Sequence, residues 1–141
     1  QRLCKGDTMT DDRLCRAALE AAENAYNPYS HFSVGAALLC GDGSVYTGCN
    51  IENASFTPTV CAERVAVFKA VSEGRRDFVK IAVAGKGRGK TYGICPPCGV
   101  CRQVLSEFCK SGFEILLVTD GGYEAHTLGE LLPLSFEFTG E

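Results

Sequence analysis

Residues 114–127, EILLVTDGGYEAHT, decide the fold. Residues 114–119 form an apolar run suited to an interior strand, and residues 123–127 can form a second. Only Asp120-Gly121-Gly122 lies between them. A parallel pair needs a crossover of about a dozen residues or more, so this turn makes the two strands antiparallel neighbours. Upstream, residues 78–84 read as another interior strand, and a glycine-rich loop over 85–97 ends in two prolines. A helix over 98–109 follows, carrying Val104, Leu105 and Phe108, with Gly112 just beyond its end.

The same reading extends to the N-terminal half. Thr10 is a candidate N-cap before Asp11 and Asp12, and Leu14, Ala18, Ala21, Ala22 and Ala25 recur at helical spacing towards Pro28. Residues 34–40 and 44–49 flank Gly41-Asp42-Gly43 as a two-stranded hairpin. Residues 61–73 place Val65, Phe68 and Val71 at intervals of three, which predicts a helix stopping at Gly74. The sum is an α/β fold: a three-layer α/β/α sandwich around a mixed five-stranded sheet, not a doubly wound parallel sheet.

The 141 residues fit one domain, assigned to residues 9–141. Residues 1–8 precede the only methionine, carry no periodic pattern, and read as a tag remnant or a disordered extension. A net charge of −3 provides no global positive field for nucleic acid or anionic lipid, so neither nucleic acid nor membrane is expected as a partner. Nine cysteines, an odd number with no apolar leader ahead of them, fit a reduced cytoplasmic protein in which clustered thiols serve metal binding or catalysis.

Three of those thiols stand at helix starts: Cys61 opens one predicted helix, and Cys98 and Cys101 open the next. Helix N-termini favour nearby anions and lower thiol pKa values, and three soft thiolates suit one Zn²⁺ per chain with a fourth position open for chemistry. Glu63 lies two residues after Cys61, within reach of a water at that position without being a ligand, and is the candidate proton shuttle. Three thiolates on one divalent ion leave excess negative charge, which Arg64 and the two helix N-termini can offset. Cys4, Cys15, Cys40, Cys49, Cys95 and Cys109 read as unligated thiols.

These blocks resemble the cytidine deaminases, in the small homotetrameric form acting on free nucleosides. The resemblance covers nearly the whole chain. It is carried by residues 29–32 (YSHF), 34–37 (VGAA), 48–54 (GCNIENA), 61–64 (CAER), 97–104 (PCGVCRQV) and 131–133 (LLP). It implies hydrolytic deamination of cytidine and deoxycytidine to the uridines with release of ammonia, in pyrimidine salvage. Water attacks C4 of cytosine, and Glu63 protonates N3 and then the departing amine. By the same resemblance Asn50 and Glu52 bind the ribose, Phe32 packs on the pyrimidine, and the backbone amide of Ala62 meets its carbonyl. Phe136 is matched to a residue that enters a neighbouring subunit's site, so a homotetramer is implied. Deaminases of polynucleotides commonly have histidine in place of Cys61 and a parallel last strand pair, which separates this chain from them.

Two departures stand out. Phe56 replaces a tyrosine common in the family, which removes a hydroxyl. Residues 85–90, GKGRGK, are unusually basic and read as a solvated loop, with phosphate or partner binding as the alternative. Rival readings are a deaminase of an aminoacyl-nucleoside antibiotic or modified nucleoside, a non-catalytic zinc module, and a polynucleotide editor.

Overall fold

The computed structural model describes residues 8–138, so the expectation for the first eight residues falls, Thr8 apart, outside the described range. Helix α1 (Asp11–Ala22) begins where the Thr10 side chain accepts a hydrogen bond from the Arg13 N–H at 3.2 Å, with Asp11 and Asp12 in its first turn. Its buried face is Leu14, Cys15, Ala18, Ala21 and Ala22. The helix does not run on towards Pro28. Tyr26 N–H donates to the Asn50 carbonyl at 3.0 Å and the Tyr26 carbonyl accepts from Glu52 N–H at 2.8 Å, drawing the chain into a bridge with Ile51. A tertiary pairing overrides the alanine periodicity there.

Five strands follow the expected count: β1 (Phe32–Cys40), β2 (Val45–Cys49), β3 (Phe78–Gly87), β4 (Glu114–Thr119) and β5 (Gly122–Thr127). They lie in the order β2-β1-β3-β4-β5. The β3 and β4 strands are parallel and joined through helix α3 (Gly99–Phe108), while the other three pairs are antiparallel. The β4–β5 hairpin closes at Thr119↔Gly122, as the short Asp120-Gly121 connection requires. The sheet is mixed and five-stranded, as expected.

Strands β1 and β3 run further than expected because they pair with each other in one register from Phe32↔Gly87 to Leu39↔Lys80. Part of the glycine-rich segment is therefore strand. Glycine lowers intrinsic strand preference, but a partner offering backbone groups in register offsets it.

Each face of the sheet has its own core. On one, α1 covers Ala37, Ala82, Ala84, Leu116 and Val118; on the other, helix α2 (Ala62–Ser72) and α3 cover Ala36, Leu38, Ile81, Val83, Ile115 and Leu117. Close approach is set by two glycines. A side chain on Gly35 would strike the backbone of Ala18 and Ala22 in α1, and one on Gly48 would strike the backbone of Ala62 and Ala66 in α2. The first turn of α2 is thereby held against β2. A short helix α4 (Leu128–Leu131), capped by Thr127 and not expected from the sequence, follows β5. No helix among the described residues is long and apolar enough to cross a membrane.

Candidate active site

Cys61 and Cys98 are the N-cap residues of α2 and α3, both in extended backbone, and neither side chain caps a backbone amide of its own helix. The two thiols are free to turn towards each other. Their sulfurs lie 3.7 Å apart, Cys101 Sγ in the first turn of α3 is 3.5 Å from Cys98 Sγ, and all three ligand atoms fall within 4.8 Å of one another. Tetrahedral positions about 2.3 Å from a zinc ion place sulfurs roughly 3.8 Å apart, so this donor set fits one Zn²⁺ in both chemistry and spacing. Among the described residues, no other group of three potential ligands gathers this way.

Charge is tightly managed around the cluster. Arg64 Nη2 donates to Cys61 Sγ at 3.4 Å, so the structure places the guanidinium where the excess negative charge was expected. The Cys61 thiol is held down to about 5, first by the hydrogen bond from Cys101 and then by Arg64 and Cys98. Cys101 is pushed up, by that same bond and by its burial. The thiols thus share negative charge unequally. A divalent cation is what allows all three to ionise together.

Glu63 is 4% exposed in the first turn of α2. Burial raises its pKa above the ordinary carboxylate value, and the charge of Cys61 adds to the rise. A carboxyl whose pKa is raised by burial in a dry site is suited to taking up and returning a proton. Ala62, fully buried, is the first residue of that helix, and its N–H belongs to the orphan amides of a helix start.

The expected sugar and base residues gather around the start of β1. Asn50 is largely occupied by the fold, since its Oδ1 accepts from Val34 N–H at 2.9 Å and its Nδ2 donates to the Phe32 carbonyl at 2.8 Å. One N–H and one lone pair of that amide remain. Glu52 Oε1 accepts from the backbone N–H groups of Tyr29 and Ser30 at 3.0 and 3.1 Å, and hydrogen bonding led by Ser30 keeps its carboxyl below the usual range. Its Oε2 makes no hydrogen bond to the described residues. Phe32 opens β1 opposite Gly87 with 40% of its surface exposed. Immediately before it, His31 adopts a φ of 56°, a backbone state uncommon for a non-glycine residue and frequent near functional sites. Phe56, also left-handed at φ 61°, meets Tyr29 edge-on at 6.3 Å between ring centroids. Phe136 is 73% exposed, beyond α4.

Sequence reasoning missed the anchoring role of Arg102. Its Nε donates to the Pro97 carbonyl at 2.7 Å and its Nη1 to the Leu131 carbonyl at 2.6 Å, tying the segment before Cys98 to α4. An arginine next to a ligand cysteine was the visible clue.

A family model described as the cytidine and deoxycytidylate deaminase zinc-binding region matches residues 8–115. The cytidine deaminase of Halalkalibacterium halodurans is 51% identical over 129 residues, covering 91% of this chain and 95% of that protein. A crystal structure of cytidine deaminase from Burkholderia pseudomallei superposes with a TM-score of 0.83 at 46% identity, covering 91% of this chain and 100% of that one. A more distant relative, the blasticidin-S deaminase of Bacillus cereus, is 31% identical over 130 residues, covering 89% of this chain and 91% of that protein.

Proposed function

Because the chain belongs to the cytidine and deoxycytidylate deaminase family of zinc enzymes, we propose that it hydrolyses cytidine and deoxycytidine to uridine and deoxyuridine with release of ammonia, as a step of pyrimidine salvage. The observation that carries the reading is Glu63: a buried carboxyl in the same helical turn that presents Cys61 to Cys98 and Cys101.

Zinc held by the three cysteines supplies, when bound, Lewis acidity that activates a water. Glu63 takes a proton from the attacking water and delivers it to N3 of the base as the C4–O bond forms. It then carries the proton of the new C4 hydroxyl to the exocyclic nitrogen, the C4–N bond breaks as the carbonyl forms, and ammonia departs. Arg64 beside Cys61 reduces the negative charge of the thiolate cluster. Phe32 packs on the pyrimidine, and the Ala62 N–H donates to its carbonyl oxygen.

Glu52 Oε2 and the remaining valences of Asn50 meet the sugar hydroxyls. A site that hydrogen-bonds a sugar leaves buried polar groups unpaired when offered a free base, so it selects nucleosides. Tyr26, Tyr29, Ile51, Phe56, Val100 and Phe136 are large exposed apolar side chains, which supports assembly as a homotetramer in which Phe136 enters a neighbouring site. The similarity to blasticidin-S deaminase favours a second reading, in which an aminoacyl-nucleoside is the substrate.

The test is the fall in cytidine absorbance with purified, zinc-replete protein, run beside deoxycytidine, cytosine and blasticidin S. Turnover of the two nucleosides is the expected result, and absence of turnover for both refutes the proposal. Sedimentation of the same sample tests the tetramer.

A further inference from the structure

Beyond β3 the chain doubles back: Lys90 N–H donates to the Gly87 carbonyl at 3.1 Å, and Gly93 N–H donates to the Gly85 carbonyl at 3.3 Å. The returning segment lays Cys95 across Gly85, and Pro96-Pro97 then leads directly to Cys98. Gly85 lies opposite Val34 in the β1–β3 pair, and Phe32 is two residues away on the same face of β1. A Cβ on Gly85 would fall 2.7 Å from Cys95 Sγ, 2.8 Å from Cys95 Cβ and 3.0 Å from Phe32 Cε1. The thiol and the edge of the phenyl ring therefore converge on the one point that a side chain would occupy. Burial pushes the Cys95 thiol up to about 11, with the charges of Glu63 and Cys61 adding to the rise, so at neutral pH it is packing surface.

We propose that Gly85 is a positioning residue for the deamination reaction. By carrying no side chain it lets Cys95 support the ring of Phe32 while the same segment delivers Cys98 to the metal cluster. The inference rests on the reading of Phe32 as the base-packing ring. Cys95 is the second half of the device: its Sγ can rotate, but its Cβ moves only with a backbone that two prolines of fixed φ make stiff. Any group added at Gly85 must therefore turn Phe32 or move the Cys95 segment.

The experiment measures KM and kcat for cytidine, zinc content and melting temperature in full-length variants. In Gly85→Ala the KM rises about tenfold, in line with the usual cost of overpacking, while kcat falls less than about threefold and zinc stays at one per chain. Adding Cys95→Gly to that variant returns KM to within about threefold of wild type, and adding Cys95→Ala restores less because Cβ remains. An unchanged KM in Gly85→Ala overturns the proposal. So does a raised KM that Cys95→Gly leaves in place, since a general packing defect would not respond to the partner.

If Gly85→Ala yields no folded protein, Cys95→Ala and Cys95→Gly alone decide. Each removes support from the ring and raises KM by about two- to threefold or more, and an unaltered KM in both overturns the proposal. Wild-type protein run in parallel separates the two readings. If it fails to deaminate cytidine, the proposed function fails and takes this inference with it; if it turns over normally, a negative result in the variants concerns Gly85 alone.

Discussion

Replacing Glu63 with glutamine isolates the proton shuttle from everything else the residue does. Glu63 is 4% exposed in the first turn of α2, so glutamine fills the same buried space without a proton to give. A single general acid–base group contributes about 10²–10⁴ in rate, equivalent to about 2.7–5.4 kcal/mol of barrier. The cytidine turnover of E63Q is expected to fall by that factor. Stability should move the other way or not at all, because burial already disfavours the ionised carboxylate and a neutral amide escapes that penalty. Zinc content should remain one per chain, since the three sulfurs are untouched. Cytidine absorbance, metal analysis and thermal melting on one preparation provide all three readouts. A rate within a few-fold of wild type would refute the shuttle. A lost rate accompanied by lost zinc would instead show that the carboxyl is needed to hold the cluster.

Arg64→Gln removes the guanidinium 3.4 Å from Cys61 Sγ, and a hydrogen bond to a charged group contributes about 1.5–3 kcal/mol. Zinc affinity is expected to weaken about 10- to 100-fold in a chelator competition, and undiminished affinity contradicts the charge-balancing role. Stripping the metal should abolish activity and expose Cys61, Cys98 and Cys101 to a thiol reagent, with zinc reversing both effects; a thiol count that does not change on chelation argues against that ligand set. His126 lies between Glu124 and Glu130 at 3.1 and 3.3 Å, and these carboxylates, Glu124 first, raise its pKa above the ordinary 6.5. Its small stabilising contribution is complete below that ordinary value and is lost as pH rises through the elevated one. An NMR titration of the imidazole with a midpoint at or below 6.5 would contradict this.

Elements specified by their own residues were legible in the sequence. Strand β4 has the expected bounds because its apolar run ends at an unambiguous turn, and α1 begins at Thr10 because a capping side chain and two acidic residues mark the place. What depended on partners was hidden. The run Gly85-Lys86-Gly87 looks like loop in isolation and becomes strand only because β1 extends to Phe32 beside it. The end of α1 is set by hydrogen bonds to Asn50 and Glu52, residues remote in the chain.

The site divides along the same line. Three cysteines at two helix starts announce a metal, because thiol spacing and helix position are both written in the sequence. The anchoring bonds of Arg102 and the engagement of Asn50 with β1 depend on which carbonyls and amides the tertiary fold brings near. Asn50 shows the cost of that gap, because its bonds to Val34 and Phe32 were not visible in the sequence. The side chain already serves the sheet edge while keeping valences for a ligand.

The two uncapped helix starts have a kinetic consequence. Neither Cys61 nor Cys98 caps its helix through the side chain, so the leading amides of α2 and α3 have no capping side chain and the sulfur cluster stands at both helix starts. The cluster therefore pins two helix ends that lie 37 residues apart in the chain. Loss of the ion would release both together while the central sheet stays closed, making them one locally opening unit. Deuterium uptake at Ala62, Glu63, Gly99 and Val100 then becomes a gauge of metal occupancy in the intact protein, readable without any substrate.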